Sequence, residues 1–594
     1  MFFASVLTLA VTTPVVRLLP GAPQAPGSWP SFLFLFRGAL PDFRHQEVKS
    51  SAGTLGVDVS RISFEAASNV GDDTHGLDYD LLQWVQLPDA QTAAAVASRA
   101  CLVRACFDVW ASANYDMCAS THDVDAAAMC ADDRWQVLAD AVQFGLSKGP
   151  LEDPEALETA EAARPLMLSP LSNQPWRCDT FSIGWKKPRD LKAKIALMEK
   201  FDALLAPLPG EVSLRDPRHI IALIEDCRGP FDGRGQLSGP SRAGARETMS
   251  EGPREATDAD ALDDGLLYEE ECGDTSEDAA VDGGEDSSWL GGLGAVRPPS
   301  ALFLGRQLAV GASSHLARFA LSRRPYLGRT TLPPAYALLM ANQARIVEGF
   351  LVLDPFCGTG STLLTCADRG ARTVGVEIDE RVLLGGDGGR GIRSNFDDAS
   401  LSPPELLLLG DASRLDAPDL LPQTDPQSGV PSPYARFDAI ITDPPYGLME
   451  GLGSFYMPLH ERLDALLRLS ARRLRLGGRL VFLLPIPSGA DALDALHPDG
   501  KEPPAERCLE LEAVCRQRMS LRMHRLMVTM RKVAEPETEE EGWLPPTWAD
   551  DAADGTVTGV PTTSRRGHGG DAAGTGAAVA PWEDWWESSR TSNK

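Results

Sequence analysis

An α/β fold, with a doubly wound, Rossmann-like parallel sheet preceded by an α+β region, is what this 594-residue sequence predicts. Two observations in the second half carry the sheet. Between 301 and 533 the short runs FLVLD, ARTVGVE, LLLLGD, FDAIITD and GGRLVFLLP alternate with segments, most of which can form a helix. These runs are apolar at successive positions, so both faces of each strand require cover, as in a parallel sheet wrapped by crossover helices. In addition, the first three runs end in a carboxylate, and the first of them enters a glycine-rich turn. A doubly wound sheet binds its ligand at those carboxyl ends.

Taken in chain order, residues 1–30 form an N-terminal extension. Its first sixteen residues are apolar but lack the positive stretch that opens a secretory signal. Residues 31–228 follow as the α+β region. SFLFLF around Leu33 predicts a strand, and the Ala-rich stretch from Gln91 to Ala100 predicts a helix. WKKPRDLKAKIALMEKF, from Trp185, starts basic and becomes an amphipathic helix, and RDPRHIIALIEDC, from Arg215, is a turn leading into a strand or a helix. From 229 to 300 Gly, Ser, Pro, Asp and Glu dominate. Too few residues remain there to fill a core, so the segment predicts an acidic, disordered linker. The sheet domain occupies 301–533, and 534–594 repeats the acidic, low-complexity character as a tail, with Trp582, Trp585 and Trp586 near its end.

This layout changes the meaning of the net charge. The chain carries 84 acidic against 56 basic residues, −28 in all, which taken whole argues against a phosphate-rich partner. Much of the acid lies in the linker and tail, however, so a single face of a folded domain can still be basic. Eleven cysteines occur without a CxxC pair, which fits thiols used as small apolar groups in a reducing compartment, here the cytoplasm. His315 and His524 have no companions at metal-ligand spacing, so no metal is expected. No apolar stretch reaches the ~18 residues that a spanning helix needs.

The chemistry is concentrated in four motifs. LDPFCGTGS, 353–361, joins the first strand to a helix, and Gly358 and Gly360 allow a tight turn and close approach of backbone to ligand. No Lys follows these glycines, so the loop is not built for a triphosphate. Asp354, just before the turn, suits a ligand with a cationic end. Glu377 closes the second strand, placed to accept hydrogen bonds from two ribose hydroxyls, with Asp379 as a neighbouring alternative. Asp411 closes the third strand, where a carboxylate can meet an adenine amino group. Each acid alone reads more readily as a surface carboxylate; together they favour an adenosyl cofactor. Cys357 lacks an adjacent base and is expected to pack within the loop.

The fourth motif is Thr442-Asp443-Pro444-Pro445-Tyr446-Gly447 after FDAII. Alone it is turn chemistry. Downstream of the glycine loop it poses a sharper possibility. An exocyclic base amine has its lone pair delocalised into the ring, and two acceptors can localise it and aim it at an electrophilic methyl group. The Asp443 carboxylate and the Pro444 carbonyl, held by the Pro444-Pro445 pair, supply those acceptors by preorganised placement. Tyr446 offers a ring on which the base can stack.

With these motifs, the chain resembles the tRNA guanosine-10 N2-methyltransferase family. The resemblance rests on DPFCGTGS with TDPPYG, on RPYLGRTTLPPAYALLMANQA at 324–344, and on GVEID, LGGRLVFLLP and HRLMVTMRKV. KPRDLKAKIALMEKFDALLAPLPGEVSLRDPRHIIALIED and SFLFLFRGALPDFRHQEVKS are similar to that family's RNA-binding THUMP region. The resemblance implies S-adenosyl-L-methionine as cofactor, held at Asp354, Phe356, Gly358, Gly360, Glu377 and Asp411. It implies tRNA as substrate, with catalysis at Asp443, Pro444, Pro445 and Tyr446, and a small zinc-binding activator subunit as partner. A DNA adenine-N6 or cytosine-N4 methyltransferase shares the DPPY chemistry but not the THUMP-like half. A catalytically inactive RNA-binding scaffold would have no need of Asp354, Glu377 and Asp443. The sequence departs from the family in its long acidic linker, in its Gly-rich stretch between Arg381 and Arg393, and in its short loop after Gly447.

Overall fold

The computed structural model describes residues 15–18, 27–67, 80–114, 131–146, 173–183, 191–206, 208, 210–227, 300–328, 331–384, 390–412, 421, 430–445, 459–490, 508–520 and 522–536. The acidic linker up to residue 299, the tail beyond Pro536, Tyr446, and the basic residues Lys186, Lys187 and Arg189 lie outside them. Two compact units share the chain, dividing after Ser313.

The first unit is built on an eight-stranded sheet. Its strands are β1 (Val15–Leu18), β2 (Ser31–Phe36), β3 (Phe64–Ala66), β4 (Leu82–Gln86), β5 (Val103–Asn114), β6 (Trp176–Ile183), β7 (His219–Asp226) and β8 (Ala301–Val310). Their order is β3-β4-β2-β5-β8-β7-β6, with β1 added against β5. SFLFLF is a strand because its two faces find separate cores. Phe32, Phe34 and Phe36 join Val48, Val96 and Ala97, while Leu33 and Leu35 join Phe107, Ile224 and Phe303. Helices α1 (Pro41–Gly53) and α2 (Ala90–Arg99) supply the first of those partners. The α2 N-terminus is capped by the Asp89 carboxylate, which accepts the Thr92 N–H at 2.7 Å. Helices α3 (Ala131–Leu146), α4 (Leu191–Glu199) and α5 (Asp202–Leu205) complete a further cluster around Trp110, Trp135, Trp176 and Phe201.

Three details differ from the sequence reading. Ala301–Val310, expected to open the second domain, is a strand of the first sheet, between β5 and β7. Its Ala301, Leu302, Phe303 and Leu304 are fully buried there. A Cβ on Gly305 would stand 2.4 Å from the Asp108 carbonyl of β5, so only glycine permits the pairing. Within the N-terminal extension, Val15–Leu18 pairs antiparallel with β5, and Trp29 packs against the first core. In α4, Leu197 is buried whereas Leu191 and Ile195 are exposed, so its apolar residues do not form one covered face.

The second unit contains the expected doubly wound sheet. Strands β9 (Leu351–Asp354), β10 (Arg372–Glu377), β11 (Leu406–Leu409), β12 (Phe437–Thr442) and β13 (Leu474–Pro487) are parallel, and β14 (Leu509–Arg518) and β15 (Met523–Lys532) add an antiparallel edge. The order is β11-β10-β9-β12-β13-β15-β14. Helices α6 (Ser313–Arg318), α7 (Pro334–Gln343), α8 (Ser361–Asp368), α9 (Glu380–Leu384), α10 (Ile392–Asp398) and α11 (Leu459–Arg473) flank it. All of α7 is buried. Gln343 ties it to the antiparallel edge, accepting the Thr529 hydroxyl at 2.6 Å and donating to the Cys515 sulfur at 3.3 Å. The strand order turns back between β9 and β12, the switch point at which a doubly wound sheet leaves a crevice for ligand.

Candidate cofactor and substrate site

At the carboxyl edge of the second sheet, the glycine loop after β9 adopts the conformation its residues demand. Gly358 and Gly360 have φ of 50° and 81°, values that favour glycine. A Cβ on Gly360 would press to 2.8 Å from Ile392 Cγ2, whereas one on Gly358 would meet nothing within 4 Å. The Gly358 edge of the loop therefore opens on free space. Cys357 packs inward with Leu363, Leu364, Ile392 and Phe396, as expected. Burial pushes its thiol well above the ordinary range, with the Asp354 and Glu377 charges adding to the rise, so it stays a protonated packing group.

Glu377, at the end of β10, reaches back to this loop. Its Oε2 accepts the Gly358 N–H at 3.0 Å and its Oε1 accepts the Asp379 N–H at 2.9 Å. Asp379 spends its own carboxylate on Arg381, through N–H and guanidinium bonds of 2.9 to 3.1 Å. Of the two acids, Glu377 is the one built into the loop. Asp411, half-buried, follows β11, whose end is joined to β10 by the Gly410 N–H donating to the Glu377 carbonyl at 2.9 Å.

Asp354, which the sequence suggested for the cationic end of a ligand, is turned inward. It is 1% exposed. Its Oδ1 accepts from the Thr442 hydroxyl at 2.7 Å and from the Phe356 N–H at 3.0 Å, while Oδ2 accepts from the Thr362 hydroxyl. Burial raises its pKa to about 6 against the pull of these three donors, and the nearby Asp443 charge adds to the rise. Because Thr362 lies in α8 and Thr442 ends β12, this one carboxylate ties the glycine loop to the strand that carries Asp443. Phe356 is half-buried and enters through its backbone N–H.

Asp443 emerges from β12 with its side chain 23% exposed. Pro444 is buried and Pro445 half-buried, and Arg462 of α11 donates to the Pro445 carbonyl. Tyr446 lies outside the described residues. One close neighbour of Asp443 was missed in the sequence. Arg525, on β15, brings Nη1 to 3.7 Å from Asp443 Oδ2. Its only sequence signal was a lone cation inside the apolar run HRLMVTM.

A second missed contribution is the strap formed by residues 324–328 and Thr331. Asn395 bonds both backbone groups of Tyr326, at 3.0 and 2.9 Å, and also donates to the Thr359 carbonyl at 3.3 Å. The Tyr326 hydroxyl donates to the Val382 carbonyl at 2.8 Å, and Thr331 meets Thr359, hydroxyl to hydroxyl, at 3.2 Å. The strap thus closes one side of the glycine loop. Burial lifts the Tyr326 pKa, and the charges of Glu377 and Asp379 lift it further. His315, in turn, is engaged by Asp368 at 2.6 Å. Among the described residues no cluster of three or more potential ligands could hold a metal ion, and no helix is long and apolar enough to cross a membrane.

Several curated proteins are similar to this chain. The tRNA (guanine(10)-N(2))-methyltransferase TRMT11 of Dictyostelium discoideum is 33% identical over 264 residues, covering 40% of this chain and 47% of that protein. The Homo sapiens protein of the same name is 29% identical over 282 residues, 41% of this chain and 56% of its own length. The chain thus spans about half the length of the curated relatives it matches. No family model matches it. Among solved structures, TrmN from Thermus thermophilus aligns over 85% of this chain and 100% of its own, at 15% identity and a TM-score of 0.34. The 16S rRNA N2 G1207 methyltransferase RsmC, solved with AdoMet and guanosine, aligns over 35% of this chain and 45% of its own, at 21% identity and a TM-score of 0.21.

Proposed function

We propose that this chain transfers a methyl group from S-adenosyl-L-methionine to the exocyclic N2 of guanosine 10 in tRNA. The observation that carries the reading is the placement of Asp443 at the end of β12, across the switch point from a glycine loop whose neighbouring acid, Glu377, is bonded into it. Similarity to the tRNA (guanine(10)-N(2))-methyltransferases supports the substrate.

The residues present fit the cofactor. The open space at Gly358 admits a ligand against backbone, and Glu377 has the chemistry to take ribose hydroxyls. Asp411 would accept the adenine amine, with Gly360 and Phe356 shaping the loop between them and Asp354 supporting that loop from inside. When bound, S-adenosyl-L-methionine supplies an electrophilic methyl group. The chain's own part is orientation. Asp443 and the Pro444 carbonyl each take one N–H of the base amine, which localises the nitrogen lone pair and aims it. Pro445 stiffens the turn, and Tyr446 stacks on the base. Because attack can precede loss of the proton, no strong base is needed.

Guanosine 10 must leave its stack to reach such a site, at a cost of roughly a few kcal/mol. A grip on the tRNA by a THUMP-like region over 31–228 would offset that cost. A small zinc-binding activator subunit completes the proposed assembly, and the cytoplasm is the proposed location. The test is mass spectrometry of tRNA nucleosides after incubation with purified chain, activator and labelled cofactor. Label in N2-methylguanosine is the expected result. Label in N6-methyladenosine or N4-methylcytosine of DNA would move the chain to the DNA-modifying class, and cofactor binding without any transfer would make it a scaffold.

A further inference from the structure

Asp443 is followed by two prolines, and this creates a local problem. A carboxylate at a strand end is ordinarily steadied by the N–H two residues on, in an Asx-turn, as Asp354 is by Phe356. Pro444 and Pro445 have no N–H to offer. The backbone of these two residues therefore cannot steady the carboxylate, and the buried cation beside it bears on its direction.

We propose that Arg525 is the positioning residue that holds the Asp443 carboxylate, an inference that rests on the methyl-transfer reading above. Its guanidinium is itself held from several sides. Nε donates to Gln517 Oε1 of β14 at 2.9 Å, the group lies 4.8 Å from the centroid of the Tyr336 ring of α7, and Nη1 stands 3.7 Å from Asp443 Oδ2. The Arg525 side chain is 7% exposed. Burying a cation in a strand is costly unless it is paired, and β15 carries this one at the position facing the end of β12. The attraction between Arg525 Nη1 and Asp443 Oδ2 bears on the rotamer of the carboxylate to which the reading above gives the base amine. An ionised carboxylate is acceptor-only, as lone-pair localisation on the amine requires. The antiparallel edge β14–β15 and α7 thereby act on the reaction without touching substrate.

The experiment is a double-mutant cycle in the full chain with its activator, using Arg525→Gln, Asp443→Asn and both together. Methyl transfer to tRNA and cofactor affinity are measured in parallel. Arg525→Gln should lower kcat between about tenfold and a hundredfold, as misplacement of a reacting group does, with KM for tRNA and cofactor affinity nearly unchanged. Arg525→Lys should recover part of the loss, since it keeps the charge but not the planar fork. In the Asp443→Asn background the same substitution should add less than about twofold. Additive losses, or an Arg525→Gln enzyme with full kcat, would overturn the proposal. If Arg525→Gln does not fold, Arg525→Lys takes its place in the cycle. If the unsubstituted chain does not methylate tRNA, the proposed function fails. The melting temperatures of the same four proteins then decide the pairing by themselves, and additive shifts would overturn it.

Discussion

At the scale of single residues, the site separates carboxylates proposed to meet a ligand from one that is buried. Asp443 is proposed to touch the base amine and Glu377 the cofactor ribose, so their substitutions should split. Asp443→Ala should cut methyl transfer by ~10²–10³, the usual loss for a preorganised polar partner, while calorimetry shows cofactor affinity nearly intact. Glu377→Ala should mainly raise the cofactor dissociation constant; an unchanged constant would remove Glu377 from the ribose. Asp354 makes a third kind of prediction. Its folded pKa, about 6, lies above the ordinary 3.8 because of burial. Between those values the native state holds the proton more often than the unfolded chain, so its contribution to stability is fully present below pH 3.8 and is lost as pH rises through 6. Lowering the pH from 7.5 to 5 should thus stabilise the natural protein relative to Asp354→Asn by about 1.4 kcal/mol, the part gained between pH 6 and pH 5 at 1.36 kcal/mol per pH unit. Matched thermal melts of the two proteins at both pH values measure it.

At the scale of elements, what could be read in advance followed from periodicity. SFLFLF, FLVLD, ARTVGVE, LLLLGD, FDAIITD and GGRLVFLLP all contain observed strands, because a run buried on two faces leaves an unbroken apolar stretch; β11, at the edge of its sheet with Leu409 exposed, is apolar without that burial. The edge strand β14, LELEAVCRQR, escaped notice because an edge alternates polar and apolar residues and its mate is set by tertiary contact. RDPRHIIALIEDC could not be divided between strand and helix until β6 and β8 were seen on either side of β7. Of the site, the acids at strand ends were legible, but the inward turn of Asp354 and the approach of Arg525 were not, since both depend on partners 88 and 82 residues away in sequence. The placement of β8 yields its own prediction. Gly305→Ala would drive a Cβ to within 2.4 Å of the Asp108 carbonyl and 2.9 Å of Val109 Cα. Such overpacking typically costs ~1–3 kcal/mol. Because β8 belongs to the first unit, melting of that unit should fall while cofactor affinity, proposed to reside in the second, stays unchanged. A parallel loss of cofactor affinity would return β8 to the second unit.

For the whole molecule, a net charge of −28 has to be reconciled with a proposed tRNA substrate. Phosphate contacts release counterions, so binding should weaken with salt by a slope of about −0.7 to −0.9 per contact. The overall charge would repel RNA, and only locally clustered cations can supply such contacts. The segment from Trp185 is the sequence's clearest cluster, with Lys186, Lys187, Arg189, Lys192 and Lys194. Of these, Lys192 lies exposed on α4, beside the exposed Leu191 and Ile195, so the helix presents both charge and apolar surface outward. A basic helix face is often merely solvated, and the salt slope distinguishes the two cases. Changing Lys186, Lys187 and Lys192 to Glu should weaken tRNA binding several-fold and flatten the slope by roughly two to three contacts. Cofactor affinity should not change. If tRNA affinity and slope both survive the triple reversal, α4 is a solvated face, and the grip on tRNA has to come from elsewhere in 31–228 or from the proposed activator subunit.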